Sequence, residues 1–151
     1  MTDVRQRLLH EEGEAWLALN AWFDRVSGER FEEPTLTPQG WSPKDAMFHI
    51  AGWMADCGEQ LERMRDGSFE PGQETRASIE RQNRAWFQIS RTMPPGDVRE
   101  RFEASRRRMV AAFAALVELS PAAVEWFEES GALHYPKHAD DLRAFLGMPG
   151  S

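Results

Sequence analysis

The chain has a single cysteine and a single tyrosine among 151 residues, and only four histidines. One cysteine, Cys57, excludes an internal disulfide and fits a reducing compartment. Long apolar runs are also missing: the longest, Met109 to Val117, has nine residues, against the ~20 that a membrane-spanning helix needs. The first residues, MTDVRQRLLHEEGEAW, carry charges throughout and no apolar signal core, which predicts a soluble, cytoplasmic protein. Basic charge is in deficit, with 18 Lys and Arg against 25 Asp and Glu and a net charge of −7. Such a surface repels phosphate backbones and anionic lipid, so neither nucleic acid nor a membrane is an expected partner. The one concentrated basic run, Arg106 to Arg108, falls in an amphipathic stretch with Glu100 and Glu103 and reads as a solvated helix face. No window shows the period-two alternation of a half-buried strand, and there is no internal repeat or low-complexity tract.

What the chain does have is apolar residues at helical spacing. With 41% hydrophobic and 11% aromatic residues it holds enough for the core of one domain spanning residues 1–151. Leu9, Trp16, Leu19, Phe23 and Val26 predict a first helix from about Val4 to Val26, stopped by Gly28. A second opens with Ser42 as N-cap, Pro43 at the first helical position and Asp45 at the third, a capping-box start. Its stripe is Ala46, Ile50, Trp53, Cys57, Leu61 and Met64, and Gly67 ends it. A third, about Thr75 to Met93, carries Ile79, Trp86, Ile89 and Met93. Asp97 with Glu100 reads as the cap of the next, whose stripe is Val98, Phe102, Met109, Phe113, Leu116 and Leu119. A short helical segment fits Pro121 to Glu128, and a final helix runs from near His134 to about Leu146. The expected fold is all-α: a four-helix bundle with an additional helix in the connection between its second and third members.

Two of the four histidines, His134 and His138, stand at i and i+4 in the stretch GALHYPKHADDLRAF. On a helix that spacing puts both rings on one face, so both imidazoles can aim at one ion. Pro136 lies between them and is tolerated only in a first turn, which requires the last helix to begin at about His134. His49 lies next to Ile50 and one turn before Trp53, at the margin of the second helix's interior stripe. Alone it would read as a core histidine bonded to a carbonyl. Together with the pair it makes three nitrogen ligands from two helices, the set that leaves a fourth position open on a metal. Cys57 is eight residues from His49 on the same helix, roughly 12 Å along the axis, and is expected to be a buried apolar residue. His10 falls off its helix's stripe and is expected in water. Asp45, one turn before His49, can cap its helix or support that ring, and capping is the preferred reading. Trp16, Trp53 and Trp86 sit on interior stripes and read as core.

GWSPKDAMFHIAGW followed about 85 residues later by HYPKHADDLRAFL resembles, in order and spacing over nearly the whole chain, the DinB/YfiT-like superfamily of four-helix-bundle metal-dependent proteins. That superfamily includes the N-terminal domains of mycothiol-dependent maleylpyruvate isomerases. The resemblance implies that a histidine after a W-[ST]-x-x-[DE] helix start joins an H-x-x-x-H pair in the last helix to bind a divalent metal, commonly zinc or nickel. Carried over, the ligands are His49, His134 and His138. Members often have an acidic residue just before the last histidine, where this chain has Lys137, so a candidate general base is missing. The resemblance also implies a low-molecular-weight thiol as a cofactor of some members and a homodimer in many, for which Trp22, flanking Phe23, offers an aromatic contact.

The expected function is a divalent-metal-dependent enzyme acting on a small molecule by thiol-dependent transferase or isomerase chemistry or by hydrolysis. The alternative is a non-catalytic, metal-binding or stress-response bundle. Free imidazole titrates at about 6.5, so metal binding is expected to weaken as the pH falls through that value.

Overall fold

The computed structural model describes residues 3–147, which form six α-helices and no strand. They are α1 (Val4–Phe23), α2 (Pro43–Asp66), α3 (Arg76–Ser90), α4 (Pro95–Ala114), α5 (Pro121–Ser130) and α6 (Tyr135–Phe145). Among the described residues no helix is long and apolar enough to cross a membrane. Helix α2 is the axis of the fold: it packs against α4, α3 and α5 and meets α6, while α1 packs against α6. Every residue from Pro43 to Ala51 is buried, as befits a helix start enclosed on all sides.

Local chemistry explains that start. The Ser42 side chain accepts the Asp45 N–H, and Asp45 accepts the Ser42 N–H in return at 2.9 Å, closing a capping box with Pro43 in the first turn. The other Asp45 oxygen accepts from the Ser90 hydroxyl, tying α2 to the end of α3. At the far end Gly67 adopts φ 84°, and its N–H reaches back to the Arg63 carbonyl, a left-handed cap that glycine adopts without strain.

Several expectations need correction. Helix α1 ends at Phe23, with Val26 in the turn beyond. Its inward face carries Leu8 and Glu12, at 2% and 1% exposure, and Leu9 is only half-buried. Helix α4 starts at Pro95 behind Pro94 without a side-chain cap, so Asp97 and Glu100 do not cap it; the fixed φ of proline makes the start instead. Ile89 is exposed, not part of the interior stripe. Nor is Arg106 to Arg108 simply a solvated face. Arg108 pairs with Glu62, and Arg106 holds the buried Glu12 through two hydrogen bonds, one from Nε at 3.0 Å.

Glu12 also accepts from the Tyr135 hydroxyl at 2.8 Å, so one carboxylate joins α1, α4 and the first residue of α6. Arg106 further lies 5.2 Å above the Trp16 ring, which stacks on Phe102. Replacing Glu12 by alanine strands the Tyr135 hydroxyl and the Arg106 guanidinium together. Breaking a buried pair in this way costs about 3 kcal/mol, at the low end of the usual range because Arg106 retains 26% exposure and can recover some water. Tyr135→Phe, which removes one donor from a carboxylate that Arg106 still holds, should cost about 2 kcal/mol. Urea unfolding of the two variants should rank them in that order.

Candidate metal centre

His134 is the N-cap of α6, and Tyr135 and Pro136 follow in its first turn, where a missing N–H costs no intrahelical bond. His138 comes one turn later on the same face. The buried start of α2 brings His49 against both. The His49 and His134 Nε2 atoms are 3.2 Å apart, and those of His138 and His134 are 2.9 Å apart. One ligand nitrogen from each ring lies within 4.8 Å of the others, and these three residues form the group among the described residues. A tetrahedral ion about 2.0–2.1 Å from each nitrogen would set them about 3.3 Å apart, close to the two separations from His134.

Burial keeps the rings in the form a metal needs. The His49 imidazole is pushed down to about 3, first by desolvation and then by the adjacent His134, with Asn83 opposing. His134 is lowered to about 4 by burial and then by the Lys137 charge, with the Ser130 backbone opposing. His138 is held well below the ordinary histidine range by burial and by His134, His49 and Lys137. All three are therefore neutral at pH 7, with lone pairs free for a cation. Their Nδ1 atoms are buried without hydrogen-bond partners among the protein groups. Polar groups lie beside all three rings: Asn83 beside His49, the Ser130 backbone beside His134, and Asp141 Oδ2 at 3.8 Å from His138 Nδ1. Groups in these positions orient metal-bound imidazoles.

Aromatic rings wall the centre. Trp41 meets His49 edge-on at 5.1 Å and stacks on Phe87, while Trp86 approaches His49 at 6.5 Å and Trp53 at 5.0 Å. Trp86 can do so because Gly52 lies beneath it; a Cβ there would fall 2.5 Å from the indole. Trp53 donates to Asn83 at 2.9 Å, which fixes that amide near His49.

The remaining candidates are placed as follows. Cys57 is buried, bonds the Trp126 carbonyl and has its thiol pushed up to about 12 by desolvation, so it is neither ligand nor nucleophile. Asp45 caps α2 and accepts from Ser42 and Ser90, with no hydrogen bond to His49. The His10 side chain is 74% exposed, 3.9 Å from Glu14. Trp16 and Trp86 are half-buried against the core, and so is Trp22, with Arg25 stacked over it. Trp53 is half-buried but faces a cleft. Asn83 and Asp141 were missed, although spacing held a signal: Asn83 is one turn before Trp86, and Asp141 one turn after His138.

The depressed histidine pKa values place proton uptake by the metal-free folded site below the free-imidazole value. In the unfolded chain the same rings take up protons near 6.5. Between there and about 4 for His134, or about 3 for His49, the unfolded state binds more protons and stability falls with pH. Chelator-treated protein should therefore lose urea resistance steadily over that window, and a variant with all three histidines replaced by alanine should show a flatter profile.

No protein-family model matches the chain, and no curated protein or solved structure matches it.

Proposed function

We propose that this protein is a divalent-metal-dependent enzyme acting on a small molecule, with His49, His134 and His138 holding the ion. The observation that carries the reading is the convergence of three neutral imidazole nitrogens, one from a buried and two from half-buried residues, within 4.8 Å of one another. Three nitrogen donors suit zinc or nickel. With an open fourth position, such an ion lowers the pKa of a water or a thiol that reaches it and polarises a substrate carbonyl.

The surrounding residues do the rest. Trp41 and Trp86 keep bulk water from His49, and Tyr135, locked to Glu12, sets where α6 begins and hence where His134 stands. Lys137 adds positive charge beside the centre, which favours an anionic reacting group such as a thiolate or carboxylate. The resemblance to the DinB/YfiT-like superfamily, and not this charge, sets thiol-dependent transfer or isomerisation ahead of hydrolysis, whose hydroxide is anionic as well. The packed helices α1, α2, α4 and α6, with α3 in the connection between α2 and α4, suit a bundle of that kind. A homodimer in the cytoplasm completes the reading.

Elemental analysis of tag-free protein offered zinc or nickel at neutral pH tests it. One equivalent should be retained by wild type and by His10→Ala. Each of His49→Ala, His134→Ala and His138→Ala should bind at least 100-fold more weakly, beyond the ~10–100-fold of outer-shell changes. Wild-type protein that retains no metal overturns the reading. Chelation that lowers the melting temperature while added thiols leave the site unperturbed would make the metal structural.

A further inference from the structure

A cavity of about 1090 Å³ opens beside the three histidines, with His134 on its wall. That is far more room than an ion requires, and it lies at the upper edge of the ~300–1,000 Å³ typical of small-molecule sites. Trp53, Ile79, Trp126 and Leu133 line it with apolar surface. Leu133 is 56% exposed there, and the two indoles offer broad faces for a ligand.

The charges on these walls are not spent on one another. Lys137 lines the cavity next to His134 and joins none of the ion pairs of the described residues, and the same holds for Glu70, Glu74, Glu125 and Glu129. Arg63, the other cation on the wall, is taken by Glu59 at 3.0 Å. Burial and the nearby Asp56 raise the Glu74 carboxyl, with a hydrogen bond from Ser78 opposing. A cleft whose opposite charges neutralise each other has little left to offer a solute. Here one ammonium stands at the histidine end and carboxylates stand elsewhere on the wall, both available. A polyanion such as a nucleotide would meet four carboxylates and is selected against.

We propose that this cavity receives a small zwitterion of amino-acid type, its carboxylate held by Lys137 beside His134, its ammonium group by the wall glutamates and its apolar side chain by Trp53 and Trp126. This names the substrate class of the site described above and rests on that reading for the reaction, though not for the binding. Lys137 is a specificity-determining residue, and a lysine in that position serves a substrate carboxylate where an acidic residue would repel it.

Three probes separate the contributions: L-phenylalanine carries both charges, phenethylamine only the cation and 3-phenylpropionate only the anion. Binding is followed by tryptophan fluorescence and by the indole N–H resonances of Trp53 and Trp126, in metal-free and in zinc-loaded protein. Phenylalanine should bind about fivefold or more tightly than either singly charged probe, the worth of one exposed charge contact. Lys137→Gln should weaken phenylalanine and 3-phenylpropionate by about that factor and leave phenethylamine unchanged. The double substitution Glu125→Gln with Glu129→Gln should do the reverse. All these residues are exposed, so the variants should fold, and near-wild-type melting temperatures would verify it. Equal binding of the three probes, no saturable response at millimolar phenylalanine, or indifference to Lys137→Gln overturns the proposal. Zinc content measured on the same samples keeps the two readings apart: ligand binding without zinc retention sinks only the metal reading, and zinc retention without ligand binding sinks only this one.

Discussion

Three imidazoles taken out of water against one another cannot all be charged, and the site depends on that constraint. A protonated ring at His134 would face Nε2 atoms at 2.9 and 3.2 Å in a region of low dielectric. Desolvation holds each ring neutral at pH 7, and three imidazole nitrogens able to act as ligands share one small volume. A core designed only for stability would place apolar residues there, because polar ring atoms buried without partners are costly. The Nδ1 atoms of all three rings bear that cost, which is the usual mark of a position kept for function.

Holding the rings in place falls to polar contacts at the ends of helices. The capping box at Ser42 and Asp45 sets the start of α2, and Ser90 fastens it to α3. Lys44, almost wholly buried, bonds Glu32 and the Met93 carbonyl at 2.8 Å, joining the α1–α2 loop to the turn before α4. On the opposite side the Glu12, Arg106 and Tyr135 network sets the start of α6. His49 and His134 each lie within seven residues of one of these anchors, so little backbone freedom separates anchor from ligand. Rigid placement of that kind is what a preorganised binding site requires.

Much of this was legible where local chemistry and helical period point the same way. Ser42, Pro43, Asp45 and Gly67 bounded α2 correctly because caps act within a few residues. Pro136 located the start of α6 for the same reason. The histidine set followed from spacing along two helices, and the structure brings all three together. What stayed hidden depends on partners distant in sequence. Glu12 is an acid on an inward face, readable as such only once Arg106, 94 residues away, and Tyr135 are seen around it. Arg106 looked solvated for the same reason. The cleft between α2, α5 and α6 has no one-dimensional signature, so Trp53 read as core and Trp126 as nothing in particular. Asn83 was obscured because polar residues on a half-exposed helix are ordinary.

Zinc K-edge X-ray absorption of the loaded protein tests the central claim most directly, because it reports the ligands themselves. The account predicts three imidazole nitrogens at about 2.0–2.1 Å and one further light atom that exchanges when a thiol or another small ligand is added. A sulfur scatterer from Cys57, fewer than three imidazoles, or a fourth protein ligand that no added molecule displaces would contradict it.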